Sequence, residues 1–346
     1  MKFSYLAMTA YDGPAPPFHI WPVAPVYCDR DIAARSVRKT IELCQLAERI
    51  GFDCVSVAEH HYAPYMMTPN PLVLAGAIAQ ATQRVTIALL GPLVPLTNPI
   101  RLAEEVAMLD SLSDGRVVVL FLRGTPNEAL TQDLATEQTR GMTQEGIDLI
   151  MKAWLEPKPF KWEGRHYQFS TISVWPRPKQ IPHPPVFGSG NSTESIAFAA
   201  ERRLGIGFSF APPEQVRNWI KLYRDLAARA GWSPSRAHVL YRGIAHVADS
   251  DTRAESDMMT HFAAKAAESA SLQQETLGGP PTAALIDKPF FVAGPATLLE
   301  RLRLLHDCGV GIVDLAFSIG NYAQQGHAMK LLAKEVLPVA QSWSLD

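Results

Sequence analysis

Apolar positions along the chain fall into two alternating patterns. Short runs that are almost wholly apolar or β-branched are each followed by a longer stretch whose apolar residues recur every three or four positions. These are the signatures of a buried strand and an amphipathic helix. "KFSYLAM" reads as a strand, and "IAARSVRKTIELCQLAERIG" as a helix stopped by Gly51. "DCVSVAEHH" is the next strand, "NPLVLAGAIAQATQ" a helix with Pro71 early in it, and "RVTIALLG" a third strand. "NPIRLAEEVAMLDSLSDG" predicts a helix closed by the turn residues Asp114 and Gly115. "RVVVLFLRG" is apolar on both faces, as in a parallel sheet covered on both sides. Beyond a long helix ending near Trp154, "PPVFGSG", "GIGFSF", "HVLYRGIAHVA" and "GIVDLAFS" complete eight strands. Helices are predicted at "STESIAFAAERR", "EQVRNWIKLYRDLAARAG" and "GHAMKLLAKEVLPVAQ".

Eight strands, each followed by a helix, predict an α/β fold closed as a (β/α)8 TIM barrel. A doubly wound open sheet is the alternative. One domain spans residues 1–346, with two excursions from the minimal barrel. Residues 155–184 are rich in proline and aromatics, as in a packed excursion. Residues 250–290 run from an alanine-rich helix into "TLGGPPTAALIDKPFF" and are the candidate lid.

Composition narrows the partners. With 346 residues, 47% of them hydrophobic, the chain buries a large core, and its formal charge of -2 (Lys plus Arg 32, Asp plus Glu 34) offers polyanions no attracting field. Nucleic acid is therefore not an expected partner. Cys28, Cys44, Cys54 and Cys308 form no CxxC pair and read as thiols of a reducing compartment. The N-terminus lacks a signal-peptide pattern, and no charge-free apolar run reaches the roughly 18 residues of a membrane span. The expected location is cytoplasmic, without a membrane partner.

Chemistry in such a barrel belongs at the C-terminal ends of the strands. Glu59, His60 and His61 follow the second strand. Neighbouring strand residues point to opposite faces, so the two histidines cannot share a metal while strand geometry holds, and no metal is expected. A single histidine aimed at a cofactor suits proton transfer near neutrality; a satisfied polar strand end is the plain alternative. Arg123 ends an apolar strand, where an arginine demands an anion or a carboxylate, and Gly124 behind it permits close approach to the backbone. "FGSGNSTES" places Ser189, Gly190, Asn191 and Ser192 before a helix N-terminus, in outline a phosphate cradle and equally a plain helix cap. Phe18, Trp21, Met66, Met67, Trp175, Phe208 and Phe210 are candidates for an apolar pocket, or for ordinary core.

Together these segments resemble a known family. "EHHY", "TPNPLVLAGAIAQAT" and "GPLVPLTNPIRLAEEVAMLDSLSDGRVVVLFLRG" follow the order and spacing of the bacterial luciferase-like flavin monooxygenases. "GMTQEGIDLIMKAW", "VWPRPKQ", "FGSGNSTES", "FVAGPATLLERLRLLHDCGV" and "LLAKEVLP" extend the likeness over nearly the whole chain. The resemblance implies a two-component monooxygenase that reacts reduced FMN with O2 to oxygenate a small hydrophobic substrate. A separate flavin reductase supplies the reduced FMN, and the chain forms a homodimer. It implies His60 beside the flavin, with Glu59 and His61 as supporting neighbours. Arg123 then lies near the flavin phosphate and ring, Ser189 to Ser192 form the phosphate loop, and Leu90 and Gly91 lie under the isoalloxazine, joined by a cis peptide bond. "TPNEAL" departs from the luciferase subunits proper, which weighs against light emission. The rivals are a deazaflavin-dependent reductase or dehydrogenase of the same superfamily and a non-catalytic flavin-binding subunit.

Overall fold

The computed structural model describes residues 1–14, 20–269 and 290–346. Its elements run β1 (Lys2–Leu6), α1 (Arg30–Ile50), β2 (Cys54–Val57), α2 (Pro71–Ala81), β3 (Thr86–Leu93), α3 (Pro99–Leu112) and β4 (Val117–Leu122). Then come α4 (Pro126–Leu130), α5 (Thr136–Leu155), β5 (Phe160–Glu163), β6 (Gln168–Ile172), β7 (Val186–Ser189), α6 (Thr193–Glu201) and β8 (Gly205–Ser209). The chain continues through α7 (Pro213–Arg229), β9 (Val239–Val247), α8 (Asp251–Ser269), β10 (Phe291–Ala293), α9 (Pro295–Cys308) and β11 (Ile312–Phe317), and ends on α10 (Tyr322–Glu335) and α11 (Leu337–Ala340).

Parallel pairing joins β1, β2, β3, β4, β7, β8, β9 and β11 in order, and β11 returns to β1, so eight strands close the predicted (β/α)8 barrel. The helix starts follow local chemistry. Asp29, Asn70 and Asn98 each accept two amides of the first turn, and Pro71 and Pro99 occupy the first helical position, where no amide is missed. Gly51 and Gly309 end α1 and α9 in the left-handed region, which suits a residue without Cβ.

Side chains alternate between two cores. The outward set, including Phe3, Tyr5, Val55, Val57, Ile87 and Leu89, packs against the helices. The lumen is filled by Cys54, Ala88, Leu90, Leu120, Phe187 and Leu240. The lumen also takes polar residues: Ser4 and Asp314 stand in register, as do Asp314 and Arg242. Burial pushes the Cys54 thiol up to about 12.

Several expectations are corrected. The second strand stops at Val57, because His60 gives its amide to the Thr68 carbonyl instead of to a ladder. Glu59 to His61 are therefore loop residues. The Leu90–Gly91 bond is not cis: the cis bonds among the described residues are Trp21–Pro22, Trp175–Pro176 and Ile181–Pro182. The turn at Gly91 is made instead by φ 134, open to glycine. The excursion at 155–184 contains the antiparallel hairpin β5–β6, and β10 adds to the upper edge of β9; neither was predicted. Of the proposed lid at 250–290, α8 is described, and residues 270–289 lie outside the described residues. Phe18 lies outside them too. Among the described residues, no helix is long and apolar enough to cross a membrane.

Candidate active site

A cavity of about 390 Å³ opens at the C-terminal ends of the strands. That size is ordinary for a small-molecule site. Leu6, Met8, Met66, Phe210, Ile244 and Ala316 give it an apolar wall, and His60, Tyr65 and Arg242 bring polar groups to it. His261, Phe262 and Lys265 of α8 line it as well, so the described part of the 250–290 excursion lies over the mouth.

His60 is held from behind. Its Nδ1 lies 2.9 Å from Glu128 Oε1, and Glu128, on the short helix α4, is 2% exposed. Burial opposes ionisation of Glu128, but the bond to His60, the charge of His60 and the amide and hydroxyl of Thr125 outweigh it and hold the carboxyl down at about 2. An ionised carboxylate only accepts, so His60 Nδ1 is the donor and Nε2 is the ring nitrogen left for chemistry. The Tyr65 ring meets His60 edge-on at 5.4 Å, and burial with the Glu128 charge raises its phenol, which stays protonated.

Glu59 and His61 form a separate pair, 3.0 Å apart. The other Glu59 oxygen accepts the Leu93 amide at 3.0 Å, and the His61 carbonyl accepts the Trp21 indole N–H at 2.9 Å. Neither residue lines the cavity; they fasten the loop after β2 to the end of β3.

Leu90, Gly91, Arg123 and the loop from Ser189 to Ser192 do not line the cavity. Leu90 is buried in the lumen, with Gly91 after it in β3. Arg123, expected to meet an anion or a carboxylate, is exposed and forms no ion pair or hydrogen bond among the described residues. Ser189 ends β7, and Ser192 caps α6 by accepting the Ser195 amide at 3.3 Å. Gly190 is required by packing, since a Cβ there would lie 2.4 Å from the Phe208 ring. The Asn191 side chain exchanges hydrogen bonds with Ser209, tying the loop to Phe210 on the cavity wall. Arg140 reaches Ser192 Oγ at 3.4 Å and Glu194 at 3.1 Å. Serine hydroxyls, a helix N-terminus and a guanidinium are the donor set that a phosphate takes. Of the aromatic and methionine candidates, Met66 and Phe210 line the cavity, Phe208 is core stacked on Trp219, and Trp175 is 80% exposed.

Sequence reasoning missed Glu128, Arg140 and the pair Arg242–Asp314. Arg242 Nε donates to Asp314 Oδ2 at 2.7 Å, its Nη2 lies 3.4 Å from the Leu90 carbonyl, and Asp314 Oδ1 accepts from Ser56 Oγ at 2.6 Å. A lone arginine in "VLYRGIAHVA" and a lone aspartate in "GIVDLAFS" were the available signals.

Comparison with known proteins agrees with this architecture. A family model described as luciferase-like monooxygenase matches residues 15–311. A flavin-dependent trigonelline monooxygenase, oxygenase component, from Acinetobacter baylyi is 29% identical over 48% of this chain and 46% of its own length. An uncharacterized protein of Sinorhizobium fredii is 31% identical over 57% of each chain. The chain thus aligns with about half the length of these curated relatives. Among solved structures, the monooxygenase RslO1 from Streptomyces bottropensis has a TM-score of 0.80 at 24% identity, covering 98% of this chain and 99% of that one. The oxygenating constituent of 3,6-diketocamphane monooxygenase from Pseudomonas putida, in complex with FMN, has a TM-score of 0.74 at 20% identity and covers 98% of both chains. These structures share the fold.

Proposed function

We propose that this chain, which belongs to the luciferase-like monooxygenase family, is the oxygenase of a two-component system. It takes reduced FMN from a separate reductase and uses O2 to oxygenate a small hydrophobic substrate. The observation that carries this reading is His60 on an apolar cavity with its Nδ1 fixed by an ionised, buried carboxylate. Support comes from the relative named as an oxygenase component and from the structural neighbour bound to FMN.

FMN would be held at its phosphate by Ser189, Gly190, Asn191 and Ser192, the α6 N-terminus and Arg140, with Arg123 as a further cation at the mouth. Leu90 and Gly91 would lie beside its ring. Bound in reduced form, FMN supplies the electrons that activate O2. His60 Nε2 holds or moves a proton at the reacting oxygen, a role typically contributing about 10²–10⁴-fold. Glu128 keeps the imidazole in one tautomer and one orientation. Glu59 and His61 hold the loop that presents His60. Leu6, Met8, Met66 and Ile244 keep water from the reacting atoms and favour an apolar substrate. The protein acts as a homodimer in the cytoplasm; exposed Val73 on α2 and Met108 and Leu112 on α3 supply an apolar face for the contact.

The test is turnover under ¹⁸O2 with a flavin reductase, FMN and a panel of small aldehydes, ketones and aromatics. One labelled oxygen in a product supports the reading. Hydride transfer to or from the deazaflavin cofactor, with no label from oxygen, overturns it.

A further inference from the structure

We propose that Arg242 is a substrate-orienting residue, and that the substrate is a mostly apolar molecule carrying one carboxylate or carbonyl oxygen that accepts from its guanidinium. This rests on the oxygenase reading and narrows its substrate class. Arg242 sits on β9 with its side chain in the lumen, 14% exposed, and it lines the cavity. Asp314, 0% exposed, takes Nε, and the Leu90 carbonyl takes Nη2. Nη1 has no partner among the described residues.

A buried ion pair is no more stable than a well-packed apolar pair of the same volume, so stability alone does not explain a guanidinium and a carboxylate inside a barrel. Their geometry offers a better reason. Asp314 is itself held by Ser56, so the guanidinium plane is locked from two sides and one N–H edge is presented with little freedom left to lose. The Nη1 edge opens to the cavity and is not sealed off in the core, and although Asp12, Ser318, Asn321 and Gln325 also line that cavity, none of them hydrogen-bonds the guanidinium. Because Asp314 already compensates the charge, the leftover edge selects an oxygen acceptor rather than acting as a bare cation. His60 lines the same cavity, so a molecule anchored at Arg242 lies within the space that His60 faces.

The experiment measures calorimetric binding of benzoate, acetophenone and ethylbenzene to the full chain, with and without FMN and in the absence of oxygen. Wild type is expected to bind benzoate or acetophenone about tenfold or more tightly than ethylbenzene, as a hydrogen bond to a charged donor implies. Arg242→Met combined with Asp314→Asn, which leaves no unpaired buried charge, is expected to erase that preference and keep ethylbenzene affinity within about threefold. Equal binding of the three probes by wild type overturns the proposal without any variant. So does a preference that survives in the double variant, including the case where reduced-FMN affinity alone is lost and Arg242 belongs to the cofactor. Failure of the oxygenase reading is read separately, as absence of reduced-FMN binding in the same wild-type samples.

Discussion

Replacing Glu128 by glutamine tests the support behind His60. The Glu128 carboxyl lies near 2 against an ordinary 4.5. That difference of about 2.5 units corresponds to roughly 3 kcal/mol favouring the ionised form in the folded protein. The side chain is 3% exposed, so solvent screening removes little of it. The stabilisation is shared between His60 and Thr125, and glutamine keeps one acceptor oxygen while losing the charge. A loss of about 1–3 kcal/mol at neutral pH follows. The folded value lies below the unfolded one, so the contribution is complete above about 4.5 and disappears as the pH falls through about 2. Urea unfolding of wild type and Glu128→Gln at a series of pH values measures it. The two curves should be clearly separated near pH 5 and converge as the pH falls below it. A difference under about 0.5 kcal/mol at pH 7, or one that does not narrow in acid, would show that the Glu128 charge does not hold His60.

Other outcomes follow from the same geometry. His60→Ala should divert oxygen into hydrogen peroxide and lower product formation by about 10²-fold or more, read by peroxide and product assays; a fully coupled variant contradicts its role. Arg140→Ala should weaken reduced FMN about tenfold and leave riboflavin unchanged in a fluorescence titration, since only FMN carries the phosphate; equal loss for both would remove Arg140 from the cradle. Gly311→Ala puts a Cβ against the Arg236 carbonyl, a backbone group, and should cost about 1–3 kcal/mol in chemical denaturation. If the proposed homodimer forms through α3, Met108→Glu should lower the mass toward monomer in light scattering; an unchanged dimeric mass moves the interface away from α3, and a monomeric wild type removes the dimer.

The barrel was legible because short, mostly apolar strands alternate with helices that end on turn residues, as with Gly51 after α1 and Asp114–Gly115 after α3. The hairpin β5–β6 was not, because its strands are short and mostly exposed or half-buried, with Ile172 the one buried residue, and lean on α5 rather than on the barrel sheet. The site was half legible. His60 was singled out in the sequence and lines the cavity from the loop after β2, but Glu128 is 68 residues away and reaches it only through the fold. The principle applied to Arg123, that an arginine in an apolar strand needs a partner, holds for Arg242, which the sequence reading did not single out. Arg123 lies exposed just past the end of β4, whereas Arg242 sits mid-strand with its guanidinium in the lumen. Period alone does not say where along a strand the lumen closes. Nor does it separate Gly91, which turns by a positive φ, from the cis bond that the resemblance suggested.

On the proposed function, this mouth holds reduced FMN for reaction with oxygen. The most direct test is anaerobic titration of the pure protein with reduced FMN and, in parallel, with the reduced deazaflavin, followed by admission of oxygen while the absorbance spectrum is recorded. Saturable, selective binding of reduced FMN, with the bound flavin reacting with oxygen, is the predicted result. Selective binding of the deazaflavin, with no reaction on admitting oxygen, would contradict the account and move the same cavity to hydride transfer.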